Sequence, residues 1–156
     1  MNGQPPSLRL VVFVIEGQRY ALPLRAVERV LPIVAVSPLP KAPAVALGVI
    51  NVHGQVIPVV DIRLRFGFPP RDYGLTAQLV VARTARRTLV VPVEEVLGVT
   101  EVATEGITSP DAVLPGIGHV AGIVTLADGL LFIHDLDTFL SLDEEQRLTE
   151  ALEEMH

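Results

Sequence analysis

The stretch from Gly48 to Ile62, GVINVHGQVIPVVDI, returns without a gap as Gly122 to Leu136, GIVTLADGLLFIHDL. Glycine opens both copies, and an aspartate, Asp61 or Asp135, stands near the end of each. A second echo precedes them: Leu22 to Val30 aligns with Val91 to Val99. Pro92 follows Pro23 by 69 residues, and Gly122 follows Gly48 by 74. Two matches in the same order at nearly the same spacing imply two related half-domains.

At 156 residues the chain has the size of one domain and can bury most of its apolar surface without a disulfide or a metal. Hydrophobic residues make up 49%, yet aromatic area comes from only two Tyr and five Phe. A core made of Val, Leu and Ile favours strands. The absence of cysteine rules out a disulfide framework, thiolate catalysis and Cys-ligated metal. No apolar run reaches the roughly 20 residues of a membrane span, and the N-terminus lacks a secretory signal pattern. A soluble, cytoplasmic protein without direct membrane insertion is expected.

The net charge of −6 is unevenly distributed. Between Asp135 and His156, eight acids face a single base, Arg147, so the rest of the chain is nearly neutral with scattered cations. Phosphate recognition needs a concentrated basic surface, so nucleic acid is not an expected partner.

Leu8 to Ile15 alternates as a strand, with Leu8, Leu10, Val12 and Val14 on one face and Arg9, Val11, Phe13 and Ile15 on the other. Glu16-Gly17-Gln18 turns it into a return strand over Arg19 to Leu24. Residues 25–29 read as an irregular link, Val30 to Val36 as a strand, and Ser37 to Pro43 as a proline-stiffened loop. The repeated segment is a hairpin turning at His53-Gly54 in the first copy and at Asp128-Gly129 in the second. Pro58 cannot donate to a ladder, which predicts an edge strand or a bulge. Leu64 to Phe66 reads as a single turn. In the second half, Ala77 to Ala82, Arg87 to Pro92, Val99 to Val102 and His119 to Leu126 read as strands. Ala103 to Gly118 is long for a structureless loop, so it is either functional or disordered. Ser141-Leu142-Asp143-Glu144 is a capping box, and Leu148, Ala151, Leu152 and Met155 follow at helical spacing. The pattern gives an all-β fold of two small barrels with an acidic C-terminal helix over 142–156, its apolar stripe laid on the barrels. The barrels divide roughly into 8–66 and 77–140, with exchange of strands between them left open.

Chemistry is harder to find. His53, His119, His134 and His156 lack the paired spacing of a zinc site, and no metal or cofactor is expected. His134 and Asp135 are adjacent, which on a strand sends them to opposite faces. Asp61 and Asp135 could be read as an acid–base pair, but equivalent positions in two halves favour a shared structural task such as capping. Ser7, Ser37, Ser109 and Ser141 sit in turns or caps, and none occupies a nucleophile elbow. Neither an active site nor catalytic residues are expected. A rigid, apolar twin barrel is instead suited to binding other proteins.

The segments Tyr20-Ala21-Leu22-Pro23-Leu24 with Val27-x-x-Val30, Gly48 through Arg63, Val93-Glu94-Glu95-Val96, and Gly122 with Ile133-His134-Asp135-Leu136 resemble the CheW-like domain family of bacterial chemosensory systems. The resemblance spans residues 8–141. It implies two packed five-stranded SH3-like barrels around a shared core, and a non-catalytic adaptor of chemotaxis or related motility signalling. The implied partners are the regulatory domain of a CheA-type histidine kinase and the cytoplasmic tip of a chemoreceptor, with weak self-association in arrays. It also implies partner-binding roles for Val27, Arg29, Gly48, Asn51 and His53. Two positions depart from the family pattern: Arg29 stands where an acid is usual, with Glu28 one place earlier, and His53 stands where arginine is usual. Read without the family, Val27 is core, Gly48 and Gly54 are backbone devices, and Asn51 satisfies a neighbouring backbone group. The competing function is a small-molecule sensor using the cleft between barrels.

Overall fold

Alternation along each Val-rich strand sends side chains to two different interiors, and this organises the whole molecule. The computed structural model describes residues 6–69, 73–113 and 118–155. His156, the first five residues, Pro70 to Asp72 of the loop after Phe68, and 114–117 of the long polar stretch lie outside the described residues.

Eleven strands occur among the described residues: β1 (Ser7–Ile15), β2 (Gln18–Pro23), β3 (Val27–Pro32), β4 (Ala46–Val52), β5 (Gln55–Val60), β6 (Gln78–Arg83), β7 (Thr88–Val93), β8 (Glu95–Ala103), β9 (Ile107–Thr108), β10 (Val120–Leu126) and β11 (Gly129–His134). The helices are α1 (Ile62–Arg65), α2 (Pro110–Val113) and α3 (Leu142–Glu153). Strand order is β8-β1-β2-β11-β10-β9 in one sheet, barrel A, and β3-β6-β7-β5-β4 in the other, barrel B. Each sheet closes on an aliphatic interior, because residues of both outermost strands meet there. In barrel A, Leu10, Val12, Ala21, Val124, Leu131 and Ile133 gather with Val102 of β8 and Ile107 of β9. In barrel B, Ile50, Ile57, Val59, Leu79, Val81 and Val90 gather with Leu31 of β3 and Val52 of β4.

The opposite faces of the same strands build a third, central core between the barrels. Phe13 and Ile15 of β1, Tyr20 and Leu22 of β2, Val80 and Ala82 of β6, and Val91 and Val93 of β7 all point there. Phe139 joins them, with Phe66 and Phe132 at the margin, so ring contacts concentrate in this layer. The two expected faces of β1 are thus its two interiors, with a bulge between Val12 and Phe13 in the pairing to β8.

Neither sheet comes from one contiguous half. The β1–β2 hairpin joins β8–β11, and the β6–β7 hairpin joins β3–β5, through matching contacts. β1 pairs antiparallel with β8 as β6 does with β3, and β2 pairs parallel with β11 as β7 does with β5. The duplicated halves have traded their leading hairpins. The six-to-five difference in strand count is small: β9 bridges Thr108 to Ile123, while in barrel B the matching contact is the lone bridge of Ser37 to Val49.

Several local expectations need correction. Residues 24–26 form a 3-10 turn and the strand starts at Val27, so the irregular link is shorter than expected. Pro58 does not lie on an edge, since β5 sits between β7 and β4. The lost donor is tolerated because β5 meets β7 through the single pair Val59–Val90, and the bulge lies in β4, between Ala46 and Gly48. In the second copy the turn residues are Ala127-Asp128, since Leu126 pairs with Gly129. The gap-free repeat demands this register: 127–128 fall where His53-Gly54 fall in the first copy. The 103–118 stretch contains a 3-10 turn at 104–106, β9 and the single-turn α2.

The C-terminal helix follows its sequence signals. Ser141 accepts from the Glu144 amide and Glu144 accepts from the Ser141 amide, completing the capping box. Leu148 and Ala151 are buried in the central core, with Leu152 at its margin, while Met155 stays exposed. Salt bridges from Arg65 to Glu144 (2.5 Å) and from Arg87 to Glu145 (3.0 Å) fasten α3 to both barrel B helix α1 and the β6–β7 hairpin.

Candidate docking faces

The five residues implied as partner-binding all lie on barrel B, on β3 and on the β4–β5 hairpin. Arg29, Asn51 and His53 are exposed, Val27 is half-buried against the central core, and Gly48 is buried. The turn explains two of them. His53 (φ 51°) and Gly54 (φ 87°) both take positive φ, the pattern of a type I′ hairpin, and the Asn51 Oδ1 accepts from the Gly54 amide at 2.7 Å. Asn51 therefore braces the turn that projects His53 outward. Gly48 has φ 151°, and a Cβ on it would run into the Ser37 carbonyl. Its absence of side chain lets the 33–37 segment lie flush on β4, where Ser37 and Val49 exchange both backbone bonds at 2.9 and 2.8 Å.

Glu28 is the extra residue of a bulge, since Val27 pairs with Ala82 and Arg29 with Val81. Glu28 and Arg29 are consequently both exposed, which is how acid and base can exchange places here without burying a charge. The sequence reading missed the apolar company of these residues. Val34, Leu47 and Val56 are 49%, 38% and 38% exposed, and Val56 pairs directly with Asn51. The signal was available only through register, because the bulge at Ala46/Gly48 turns Leu47 outward against simple alternation.

Asp61 and Asp135 do not share a side-chain task. Asp61 is buried and its Oδ1 accepts from the Arg63 amide at 2.9 Å and from the Tyr73 hydroxyl at 2.9 Å. The Arg63 guanidinium, also buried, reaches Glu16 at 2.5 Å, Asp61 at 3.5 Å and the Pro69 carbonyl at 2.8 Å. Burial, and secondarily the Asp61 charge, push the Tyr73 hydroxyl well above its ordinary pKa. Asp135 makes no side-chain cap. What the two aspartates share is the backbone: the Asp61 amide donates to the Val45 carbonyl at 2.9 Å and the Asp135 amide to the His119 carbonyl at 2.8 Å.

His134 is 2% exposed, between the rings of Phe66 and Phe139, and neither ring nitrogen has a hydrogen-bond partner. Burial, helped by the His119 charge, drives its pKa down to about 3, so it is a neutral core residue at neutral pH. Among the described residues no three His, Asp or Glu side chains converge as a metal site, and no helix is long and apolar enough to cross a membrane. Ser7 donates to Glu101, Ser37 bridges β4 and Ser141 caps α3.

Two barrels joined by traded hairpins, each carrying one copy of the glycine-opened repeat, define a recognisable architecture. The family model described as the CheW-like domain matches residues 9–144. The chain belongs to the CheW-like family. The chemotaxis protein CheW of Thermotoga maritima is 30% identical over 135 residues, covering 86% of this chain and 88% of that protein. The CheW of Treponema pallidum is 26% identical over 150 residues, covering 91% and 87%. The crystal structure of the scaffolding protein TtCheW from Thermoanaerobacter tengcongensis superposes with a TM-score of 0.80 at 24% identity, covering 92% of this CheW-like chain and 94% of its own. These relatives support a coupling scaffold in chemotaxis and do not favour the small-molecule sensor.

Proposed function

We propose that this CheW-like domain is a non-catalytic cytoplasmic adaptor that links a chemoreceptor tip to the regulatory domain of a CheA-type histidine kinase, with weak self-association in arrays. The observation that carries the reading is the barrel B face: Arg29, Asn51 and His53 are exposed on braced strands beside Val34, Leu47 and Val56. A polar set around apolar contacts is the composition of a transient protein interface. Arg29 and His53 set partner choice. A base where an acid is usual favours a partner carrying an acid opposite, and an imidazole cannot make the forked, paired hydrogen bonds of arginine.

Calorimetric titration of the full chain against the kinase regulatory domain and the receptor tip from the same genome tests this. Micromolar binding to both is expected, with Arg29→Glu weakening one of them about tenfold at an unchanged melting temperature. Binding to neither would remove the proposal.

A further inference from the structure

Helix α3 stands outside the repeat and leaves one barrel for the other. β11 of barrel A ends at His134, a 3-10 turn follows at 136–138, and the ion pairs that α3 makes to the body among the described residues all fall on barrel B's stretch of chain. Glu144 meets Arg65 of α1, Glu145 meets Arg87 of the β6–β7 hairpin, and Glu154 meets Lys41 of the loop between β3 and β4 at 3.5 Å. Arg87 also donates to the Glu145 carbonyl at 3.3 Å and to the Thr149 hydroxyl at 2.6 Å. The last helix of the chain therefore ties barrel A to barrel B.

The tie is made mostly of charge. Residues 142–154 carry six acids and one base, and the apolar anchors sunk in the central core are Leu148 and Ala151, with Leu152 at its margin. A helix of twelve residues is marginal by itself in water. This one is poorly made at its end, where Glu150, Glu153 and Glu154 crowd a last turn that has no base, although the helix dipole favours cations there. Lys41 supplies the cation from outside. Its own backbone is in the left-handed region at φ 67°, and the neighbouring Ala42 amide reaches the Leu39 carbonyl only at 3.4 Å. Leu39 and Val45, on either side of Lys41, share the central core with Leu148 and Ala151. The same segment carries the Ala46 amide bond to Pro43 at 3.0 Å and the Ser37–Val49 bridge beside Gly48.

We infer that α3 is a releasable strap: charge seats it on barrel B, it lifts while both sheets stay folded, and its lifting loosens residues 37–46. Opening of an end helix with few apolar anchors requires far less free energy than global unfolding. Salt screens the ion pairs and favours the lifted state. Residues 37–46 border the barrel B face, so a partner that orders this segment must also seat the strap, because coupling between two sites is reciprocal. That last consequence rests on the adaptor reading above.

The test is amide hydrogen exchange of the full chain, followed residue by residue by NMR in low and in molar sodium chloride. Amides of residues 148–153 are expected to exchange more than about tenfold faster than those of β6 and β7, to quicken further in high salt, and to carry the Ser37 and Ala46 amides with them. Lys41→Glu, which adds a fourth acid to the last turn, should speed the same amides about threefold and leave β6 and β7 unmoved. Adding Glu154→Lys to that variant re-forms the pair in reverse and should restore protection. Exchange of α3 at the rate of β6 and β7, release of α3 that leaves Ser37 and Ala46 untouched, or failure of the reversed pair to rescue would each overturn the strap. The kinase regulatory domain provides a separate arm, in which it should slow Ser37, Ala46 and α3 together. Slowing of Ser37 and Ala46 without α3 counts against the strap, whereas a chain that binds no partner removes the adaptor reading and leaves the strap to be decided by exchange alone.

Discussion

Barrels A and B descend from one pattern, and setting them side by side separates what the backbone requires from what the side chains are free to do. The shared features are main-chain devices: a bulge before the repeated glycine, a bulge at the start of β3 and β8, an aspartate amide bonded one strand away, and a traded hairpin. Even the hairpin tips are held alike, the Glu16 amide by Glu94 at 2.5 Å and the Ala85 amide by Asp137 at 2.7 Å. The side chains at equivalent places differ sharply. Arg63, the centre of a buried ion cluster, corresponds to the exposed Asp137, and the charged pair Glu28-Arg29 corresponds to Leu97-Gly98. Duplication has kept the geometry and given the two barrels different faces.

The strongest way to break this view is at the glycines. Gly48 combines positive φ with a backbone carbonyl where its Cβ would be, and that carbonyl cannot move without breaking the Ser37–Val49 bridge. Gly122 has ordinary φ, and its Cβ would lie 2.5 Å from the Ile107 Cγ2 methyl, a side-chain atom that can shift where a backbone carbonyl cannot. Gly48→Ala should cost more than about 4 kcal/mol and Gly122→Ala about 1–3 kcal/mol in urea unfolding. Equal costs would mean that the two glycines serve the same need.

A smaller contrast belongs to the aspartates. Asp61→Ala leaves the buried Arg63 with Glu16 alone among the carboxylates of the described residues and takes from the Tyr73 hydroxyl its acceptor, and should cost about 3 kcal/mol. Asp135→Ala removes a side chain with no cap and should cost about 0.5 kcal/mol or less. Comparable losses by chemical denaturation would show that Asp135 has a task its geometry does not reveal.

The repeat, the all-β class, most strands and the capped helix α3 were legible because each is written in local residues: alternation, turn glycines, the Ser141–Glu144 box. The hairpin exchange was not, since β2 and β7 have the same pattern whichever sheet they join, and only long-range pairing decides. Pro58 misled because its edge rule assumes a full ladder on both sides, whereas β5 meets β7 at one pair. The exposed face of barrel B was partly legible. Arg29 and His53 are polar and stand out, whereas Leu47, Val56, Leu97 and Val99 look like core until bulges and edges turn them outward.

Position 134 supplies the finest test of the comparison, because its counterpart in the first copy is the fully buried Val60. With its folded pKa near 3 and an ordinary unfolded value near 6.5, His134 binds a proton only in the unfolded chain between those limits. Stability is therefore complete above about pH 6.5 and falls by about 1.4 kcal/mol per pH unit as pH drops toward 3. Glu144 does not confuse the upper part of this window. Burial raises its pKa, but the Ser141 amide and the Arg65 guanidinium outweigh burial and hold it below the ordinary value, so its loss begins only in the carboxylate range. His134→Val, which copies the first half, should abolish the slope between about pH 4.5 and 6.5, while at pH 7 the relief of two unpaired ring nitrogens offsets part of the lost volume. Denaturant midpoints across that range decide it: an undiminished slope in the variant would place the linked proton on another group and leave His134 as mere packing.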